Sequence, residues 1–400
     1  MAIFALFVRL TIAVFMPREI RWPDGREYEA VALSLVEHGQ YGTQTLRPPG
    51  YPTLIAGVYS LFGRDLIALR IVESAMSAAT VALIGMVGAG MFGPTAGLLA
   101  AALAALHPVL SFLPSTLYSE NTLLAALVPA FGLTLVAARS GAGWRWLAAG
   151  ACFGAAALIR PNSVLLLPGL GAGLLPKLRR TRRSLVGGAL LLAAGLVLVV
   201  GPWIVRSHAV HGRWFFVATG GGRQFWFGNN AAATGATNSS TMPDSAMMAV
   251  LMRLPDEAER ERYLYARGME FVRQHPVQAG RLYLVKLGNL FALWPETYSR
   301  TEFVNPWTRV AQGIASAVIF TGALIAVVWR RRDPMVWPLV GAVASFALAN
   351  AVFFTVLRYR IAFEPCLLWL AGAGWATVLA RLSATSGAPT SFAATRGISL

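Results

Sequence analysis

The chain has 400 residues, of which 56% are hydrophobic and 13% are charged. A soluble fold of this size could not bury that many apolar side chains and keep a wettable surface, so the composition excludes a soluble globular protein. A net charge of +16 would favour nucleic acid as the partner of a soluble protein. Here the basic residues lie largely in short loops between apolar runs, as in cytoplasmic anchoring, and we exclude a nucleic-acid role.

Apolar runs predict the spans. Seven runs approach or exceed the roughly 20 residues that a helix needs to cross a bilayer. These runs are 66–90, 95–114, 120–138, 184–205, 308–329, 335–356 and 361–380. Residues 1–16 lack the basic leading segment and cleavage site of a signal peptide, which predicts a retained first span. Pro161 breaks the segment 145–176 into a predicted hairpin of two short spans. The fold class predicted is an all-α polytopic membrane protein with about ten transmembrane helices.

Basic clusters give the predicted orientation, because cytoplasmic loops carry an excess of Lys and Arg. The clusters are Arg139 with Arg145, Lys177 to Arg183, and Arg330 to Arg332. With these inside, five pieces lie outside: 17–65, 113–120, 160–162, 206–307 and 357–360. Nearly every unusual polar residue lies in these outer pieces, which predicts an extracytoplasmic site.

Four regions are predicted along the chain. They are an N-terminal transmembrane module (1–205) with its first outer loop (17–65), an extracytoplasmic loop with interfacial helices (206–307), C-terminal transmembrane helices (308–380) and a disordered cytoplasmic tail (381–400). An amphipathic stretch from Glu27 to Glu37 predicts a helix in the membrane plane. In the long loop, Asp256 opens a polar helix to about Gln274, and a second mixed helix follows Pro276.

Two acidic residues lie at the edges of predicted spans. Asp24 lies in a Pro/Gly turn after the first span, and Glu120 begins the fourth. A carboxylate at the rim of a span is costly unless it is paired or functional. The alternative is that Asp24 caps a helix or is solvated, and that Glu120 complements a helix dipole.

Four arginines are predicted to face the outside: Arg47, Arg160, Arg358 and Arg360. Guanidinium groups suit phosphate oxygens well, so the four are candidates for binding a phosphate. The alternatives are snorkelling to the interface, or salt bridges with Asp24, Glu120 or Glu364.

Metal ligation has little support. His208 and His211 have metal-like spacing, but no third ligand lies at a suitable distance in the sequence. Cys152 and Cys366 lie within apolar runs and are interpreted as small hydrophobic residues. The sequon Asn238-Ser239-Ser240 is of a kind frequent by chance. A divalent metal is not supported by the sequence, and we predict no metal ligands.

Together these motifs resemble one family, the bacterial branch of the C-type glycosyltransferases. That branch is similar to dolichyl-phosphate-mannose protein mannosyltransferases and to lipid A aminoarabinose transferases. The features are Pro-Asp-x-x-x-Tyr after the first span, Arg-Pro-Pro-Gly-Tyr-Pro, a rim Glu120, Leu-Ile-Arg-Pro-Asn and a late Arg-Tyr-Arg. The resemblance runs from about Arg9 to Ala380, and residues 226–230 and 275–286 are similar to the family's outer loop.

The resemblance implies an inverting glycosyltransferase that moves a hexose or pentose from a polyprenyl-phosphate donor to a lipid, glycan or protein acceptor. It implies that Asp24 is the general base, that Glu120 is the second catalytic acidic residue, that Arg47 binds the donor phosphate and that Arg160 matches a basic residue beyond the fifth span. A leaving phosphate needs charge stabilisation, for which Arg47, Arg160, Arg358 and Arg360 are all candidates. The resemblance adds the substrate-binding candidates Tyr28, Tyr51, Asn229 and Lys286. Many relatives carry a second acidic residue where this chain has Gly25, which puts metal coordination there in doubt.

The expected location is the bacterial inner membrane, with the active site facing outside. Two other functions remain open. A flippase or transporter of lipid-linked glycans also needs intramembrane charges, although it would show paired broken helices in repeated halves. A glycan polymerase or ligase with a pyrophosphate-linked donor can share the arginine-rich outer face.

Overall fold

The computed structural model describes residues 1–42, 44–235, 243–294, 297–299, 302–303 and 305–385, without the side chains of 176–185, 297–299 and 302–303. The sequon at 238–240 and residues 386–400 of the predicted tail lie outside the described residues. Residues 381–385 of that tail belong to the last helix.

The first half of the chain forms eight helices within the described residues. They are α1 (Ala2–Phe15), α2 (Pro23–His38), α3 (Gly50–Phe62), α4 (Leu66–Phe92), α5 (Pro94–Leu106), α6 (Pro108–Phe112), α7 (Glu120–Ser140) and α8 (Gly143–Ile159). A 3₁₀ helix, Leu113–Ser115, leads towards α7.

The second half adds another eight, again counted over the described residues. They are α9 (Leu167–His211), α10 (Gly221–Gly228), α11 (Ser245–Arg253), α12 (Glu257–Gln274), α13 (Pro276–Leu290), α14 (Pro306–Trp329), α15 (Val336–Asn350) and α16 (Glu364–Thr385). Two 3₁₀ helices, Pro161–Leu166 and Leu357–Phe363, precede α9 and α16. Strands β1 (Thr297–Ser299) and β2 (Glu302–Phe303) pair antiparallel.

Membrane-crossing helices dominate the fold. Within the described residues, five helices are long and apolar enough to cross, and a sixth crossing results if α5 and the segment Pro108–Ser115, bent by 62° relative to it, act together. The structure therefore confirms an all-α integral membrane protein. Reaching ten spans would also require the four shorter apolar helices, Ala2–Phe15, Gly143–Ile159, Pro161–Leu175 and Val336–Asn350, so the count of ten stays a prediction.

The break at Arg160 shapes the site. Helix α8 ends at Ile159, and Arg160 adopts an extended backbone (φ −143°, ψ 108°), as a residue before proline favours. Leu174 and Leu192 both pack in the cluster around Trp146, so α8 lies against both described parts of α9. A Cβ at Gly195 would overlap the carbonyl oxygen of Leu147, so glycine permits this close helix packing.

Asp24 lies in the first turn of a helix, where the sequence predicted a turn. Pro23 starts α2 because its fixed φ suits a first helical position, and Asp24 complements the positive end of the helix dipole. A Cβ at Gly25 would lie 2.9 Å from Ile20 Cγ2 and 3.1 Å from Leu117 Cβ. A larger side chain at position 25 would therefore require Ile20 and Leu117 to shift.

Candidate active site

Two arginines hold the carboxylate of Asp24. Arg47 Nη2 lies 2.6 Å from Oδ1, and Arg358 Nη2 lies 2.6 Å from Oδ2. Burial alone would raise the pKa of Asp24, but the charges and hydrogen bonds of Arg358 and Arg47 outweigh it and hold the pKa well below its usual range. Asp24 is therefore ionised, with both oxygens engaged.

Arg47 comes from the loop between α2 and α3. Its Nε and Nη2 atoms also lie 2.8 and 2.7 Å from Glu27 Oε2, and its guanidinium lies over the ring of Tyr28, 4.8 Å from the centroid. The hydroxyl of Tyr41 donates to the carbonyl oxygen of Arg47 at 2.6 Å. The loop thus holds the guanidinium of Arg47 between the acidic side chains of α2.

Glu120 joins one further arginine, Arg160, to this group. It begins α7, is fully buried, and accepts a 2.5 Å hydrogen bond from Arg160 Nη2 at Oε1. The same oxygen lies 3.7 Å from Arg358 Nε, and Arg160 Nε donates to Ser119 Oγ at 3.0 Å. Arg358 therefore bridges Asp24 and Glu120, and the paired charges offset the cost of burial.

A cavity of about 410 Å³ opens beside these arginines. Its described lining includes four arginines, Arg47, Arg160, Arg223 and Arg358, and no Asp or Glu. The lining also includes aromatic and neutral polar residues, among them Tyr28, Tyr359, Phe353, Asn162, Asn350 and Gln224. Arg223, at the start of α10, is absent from the sequence candidates. The only local signal for it is the glycine run at 220–222 before it.

Tyr51 lies behind the cavity lining. It is buried, and its ring meets that of Tyr28 edge-on with centroids 5.1 Å apart. The Tyr28 hydroxyl is 3.4 Å from Ser119 Oγ, and the Tyr51 hydroxyl is hydrogen-bonded to Glu73. Tyr28 thus lies at the predicted site, whereas Tyr51 supports it.

Glu73 is a buried carboxylate within α4. Its side chain accepts hydrogen bonds from Asn121 Nδ2 and, at 3.2 Å, from Thr122 Oγ1. Asn121 Nδ2 also donates to the Glu73 carbonyl oxygen at 3.0 Å. Glu73 is absent from the sequence candidates, although a single carboxylate in the apolar run 66–90 was a signal for it. It fixes the two residues that follow Glu120.

Arg70 holds the start of the first outer segment. Its guanidinium donates to the carbonyl oxygens of Met16 and Pro17, at 3.1 and 2.7 Å. These carbonyls belong to the C-cap of α1 and to the residue after it, and α1 offers them no partner. A cation there complements the helix dipole and fixes the chain that leads to Asp24.

Arg360 lies in a separate buried group. Its Nε lies 3.0 Å from Glu364 Oε2, and its Nη2 donates to Ser316 Oγ at 2.9 Å. His107 Nε2 lies 3.4 Å from the other oxygen of Glu364. Of the four predicted arginines, the structure brings Arg47, Arg160 and Arg358 together at the cavity and places Arg360 elsewhere.

Lys286 and Asn229 contact each other outside the cavity lining. Lys286 Nζ donates to Asn229 Oδ1 at 3.0 Å, and to the carbonyl oxygens of Gly228 and Val352, both at 3.1 Å. Burial lowers the pKa of Lys286 to about 8. The pair ties α10 and α13 to the segment that leads to Arg358.

The candidate metal ligands are placed apart from the cavity. Over the described residues, no group of three or more His, Cys, Asp or Glu side chains is suited to a metal ion. His208 instead stacks on the ring of Trp214, with centroids 4.0 Å apart. Cys152 and Cys366 carry free thiols.

This helical membrane fold is similar to that of solved C-type glycosyltransferases, and the resemblance seen in the sequence is confirmed. More particularly, residues 46–205 match the sequence model of the family described as dolichyl-phosphate-mannose-protein mannosyltransferase. No curated protein matches the chain.

Solved structures share the fold. The apo oligosaccharyltransferase of Archaeoglobus fulgidus is 13% identical with a TM-score of 0.61, and the match covers 100% of this chain and 52% of that one. The same archaeal enzyme, AglB, with an inhibitory peptide and a dolichol-phosphate gives 0.59, also at 13% identity, with the same coverage. The chain thus spans about half the length of these structures. ArnT from Cupriavidus metallidurans bound to undecaprenyl phosphate is 17% identical, with a TM-score of 0.43, 96% of this chain and 78% of that chain covered.

Proposed function

We propose that this protein is an inverting glycosyltransferase that moves a sugar from a polyprenyl-phosphate donor to a hydroxyl of a lipid, glycan or protein acceptor. One observation carries the proposal. Arg47 and Arg358 both line the cavity, and both bind the carboxylate of Asp24. Guanidinium groups suited to binding a phosphate thus contact a carboxylate suited to acting as a general base.

The arginines are the phosphate ligands in this proposal. Arg47, Arg160 and Arg358 each line the cavity, and Nη1 of Arg358 is buried with no hydrogen-bond partner among the described residues. The phosphate of the sugar donor would accept a hydrogen bond from this Nη1 atom. It would also compete with the carboxylates for the guanidinium groups that are already paired. The same guanidinium groups would stabilise the charge that develops on the phosphate as the glycosidic bond breaks.

Asp24 acts as the base once the arginines turn to the phosphate. Losing those partners returns its pKa towards its usual range, where a carboxylate accepts a proton more readily. Asp24 is 23% exposed and is absent from the cavity lining, so an acceptor reaches it from outside the donor cavity. The acceptor oxygen bonds to the anomeric carbon, Asp24 takes its proton, and the phosphate leaves with the bonding electrons. Attack opposite the leaving group inverts the anomeric carbon.

The membrane arrangement belongs to the same proposal. Ten spans result if the bent pair and the four shorter apolar helices each cross together with the five long helices. With the basic clusters inside, the site faces the outside of a bacterial inner membrane. The regions 1–205, 206–307 and 308–380 then correspond to a catalytic transmembrane module, an outer loop and the closing helices.

Asp24→Asn tests the proposal in purified protein in nanodiscs. The variant should lose transfer by roughly a hundredfold or more, because a neutral amide cannot accept the proton. Its affinity for a bare prenyl phosphate should be kept or increased, because a competing carboxylate is gone. Glu37→Gln, at an exposed position of the same helix, is the control. Full transfer by Asp24→Asn, or absence of prenyl-phosphate binding by the unchanged protein, would contradict the proposal.

A further inference from the structure

The lining of the cavity contains donors that the arginine and carboxylate network does not use. Asn350 is the last residue of α15 and is 3% exposed. Its Oδ1 accepts from Asn162 Nδ2 at 3.2 Å, whereas its Nδ2 has no hydrogen-bond partner among the described residues. A buried amide N–H that lacks a partner destabilises the fold, so it is suited to a ligand oxygen.

Arg223 adds a second free donor to the same cavity. Its Nε is buried and has no hydrogen-bond partner among the described residues. Arg223, Asn162 and Asn350 come from α10, the 3₁₀ helix at 161–166 and α15, and each lines the cavity. They extend the lining beyond the three arginines that hold Asp24 and Glu120.

Aromatic rings surround these donors. Phe353 and Tyr359 line the cavity, and Arg160 lies 5.9 Å from the centroid of the Tyr359 ring. The volume of about 410 Å³ falls within the range typical of small-molecule sites. Flat apolar rings beside a few hydrogen-bond donors suit a sugar ring, whose C–H face is apolar and whose oxygens accept hydrogen bonds.

The charge of the lining restricts the kind of sugar. Four arginines line the cavity, and no carboxylate does over the described residues. Asp24, Glu27 and Glu120 form direct ion pairs with Arg47, Arg160 and Arg358 from behind the lining. The carboxylate near Arg223 is Glu261, which is also outside the lining and accepts from Gly222 N at 2.6 Å. A sugar that carries an ammonium group would therefore be desolvated beside guanidinium groups without a counter-ion.

We propose that Asn350, Asn162 and Arg223 form the subsite for the donor sugar, and that this subsite takes a sugar without an amine cation. The inference rests on the proposed function and specifies its donor. Asn350 Nδ2 donates to an oxygen of the sugar, and the phosphate lies against Arg47, Arg160 and Arg358. Selection against cationic sugars follows from the missing carboxylate, as in other sites that discriminate through an unpaired charge.

Binding of three probes to the full chain in nanodiscs tests this subsite. The probes are a bare short-chain prenyl phosphate, its glucose ester and its 2-amino-2-deoxyglucose ester. At about pH 6, where the amine is protonated, the amino ester should bind roughly tenfold more weakly than the glucose ester. At about pH 9, where the amine is largely neutral, the difference should shrink to roughly twofold. The glucose ester controls for the pH dependence of the phosphate.

Two variants check the assignment of residues. Asn350→Ala should weaken binding of the glucose ester by roughly fivefold relative to bare prenyl phosphate. Arg223→Glu should shift the preference towards the amino ester by roughly tenfold, which keeps the test open if Asn350→Ala does not fold.

Equal binding of both esters at about pH 6 would overturn the subsite. The subsite would also be overturned if both variants fold and neither changes its measured preference, which is glucose ester against bare prenyl phosphate for Asn350→Ala and amino ester against glucose ester for Arg223→Glu. In either case bare prenyl phosphate would still bind and the proposed function would stand. If neither ester nor bare prenyl phosphate binds, the proposed function itself fails and this inference fails with it.

Discussion

Arg358 Nη2 lies 2.6 Å from Asp24 Oδ2, so the segment before the last helix is tied to the first outer helix. Among the described residues, Arg358 alone forms ion pairs with both acidic residues of the candidate site, since its Nε also lies 3.7 Å from Glu120 Oε1. The coupling between Asp24 and Arg358 is therefore the central property of this site and can be measured.

A double-mutant cycle between Asp24→Asn and Arg358→Ala should show strong coupling in unfolding stability. Removing one partner leaves the other charge in a poorly hydrated site without that counter-charge, at a cost of about 2–4 kcal/mol for each single variant. The double variant should cost less than the two singles together by about 1 kcal/mol or more. Thermal or denaturant unfolding in nanodiscs measures each term.

The matched control for this cycle is the pair Arg267 and Glu270, which lies on α12 at 2.5 Å with both side chains about half exposed. Its coupling should be about 0.5 kcal/mol or less, because exposed ion pairs are screened by water and salt. Additive effects at Asp24 and Arg358 would mean that their contact contributes nothing to stability.

Lys286 should make the protein more stable at alkaline pH. Its pKa in the folded protein, about 8, lies below the ordinary value of 10.5. Between these values the unfolded chain binds more protons than the folded chain, so the free energy of unfolding rises with pH. The rise is at most on the order of 3 kcal/mol. Melting temperatures from about pH 7 to about pH 10 measure it.

Lys286→Met is the control for that titration, since it removes the titrating group and keeps an apolar stem. The difference in melting temperature between the two proteins should depend on pH in this window. The advantage of the Lys286→Met variant should be largest at the acidic end, where Lys286 is charged. A difference that does not change with pH would show that Lys286 is neutral or solvated at all these values.

Glu73 should be essential as a hydrogen-bond acceptor, with its charge dispensable. Glu73→Ala leaves Asn121 and Thr122 with a missing partner, at a cost of about 2–4 kcal/mol from unsatisfied groups and a cavity. Glu73→Gln keeps an acceptor and should cost about 1 kcal/mol or less. Thermal unfolding separates the two; equal losses would mean that Glu73 acts through its charge.

Two glycines of α9 should respond differently to alanine. At Gly195 a methyl group would overlap the carbonyl oxygen of Leu147, so Gly195→Ala should destabilise the protein by about 2 kcal/mol or more. At Gly187 nothing lies within 4 Å of an added Cβ, so Gly187→Ala should be neutral or stabilising by up to about 1 kcal/mol. Melting temperatures of the two variants give the comparison, and equal effects would mean that α8 and α9 are not in close contact.

Much of the site was predictable because charged residues in an apolar chain need partners. Asp24, Arg47, Glu120, Arg160 and Arg358 stand out in the sequence for that reason, and the structure brings them together. Which carboxylate binds which arginine was not predictable, since several pairings satisfy the same charges. The pairings depend on where helix ends meet in three dimensions.

Local geometry explains why some of the predicted site residues lie away from the cavity. Arg358 and Arg360 are two residues apart in a 3₁₀ helix with about three residues per turn, so they leave the helix on different sides. One reaches Asp24 and the other reaches Glu364. Lys286 and Asn229 were predicted to bind substrate, and they lie together, but each satisfies the other's polar atoms at a distance from the cavity lining.

Glu73 and Arg223 show two reasons why sequence reasoning misses residues. Glu73 has a clear signal, a carboxylate within a long apolar run, but the run does not indicate which hydrogen-bond donors the carboxylate binds. Arg223 has almost none, because its role depends on α10 lying beside the break at Arg160, which no local pattern encodes.

The ion pairs of the site have a consequence for how the protein is made. Glu27 and Arg47 can pair as soon as the first outer segment has emerged, because both belong to it. Glu120 can pair with Arg160 only after another helix has been synthesised. Asp24 and Glu120 can pair with Arg358 only after the segment before α16 has been synthesised. Before Arg358 is synthesised, Asp24 can already pair with Arg47 and Glu120 with Arg160, whereas Asp24 Oδ2 still lacks the partner that it has in the finished fold. The last partner to be synthesised therefore completes the network and joins the two earlier pairs.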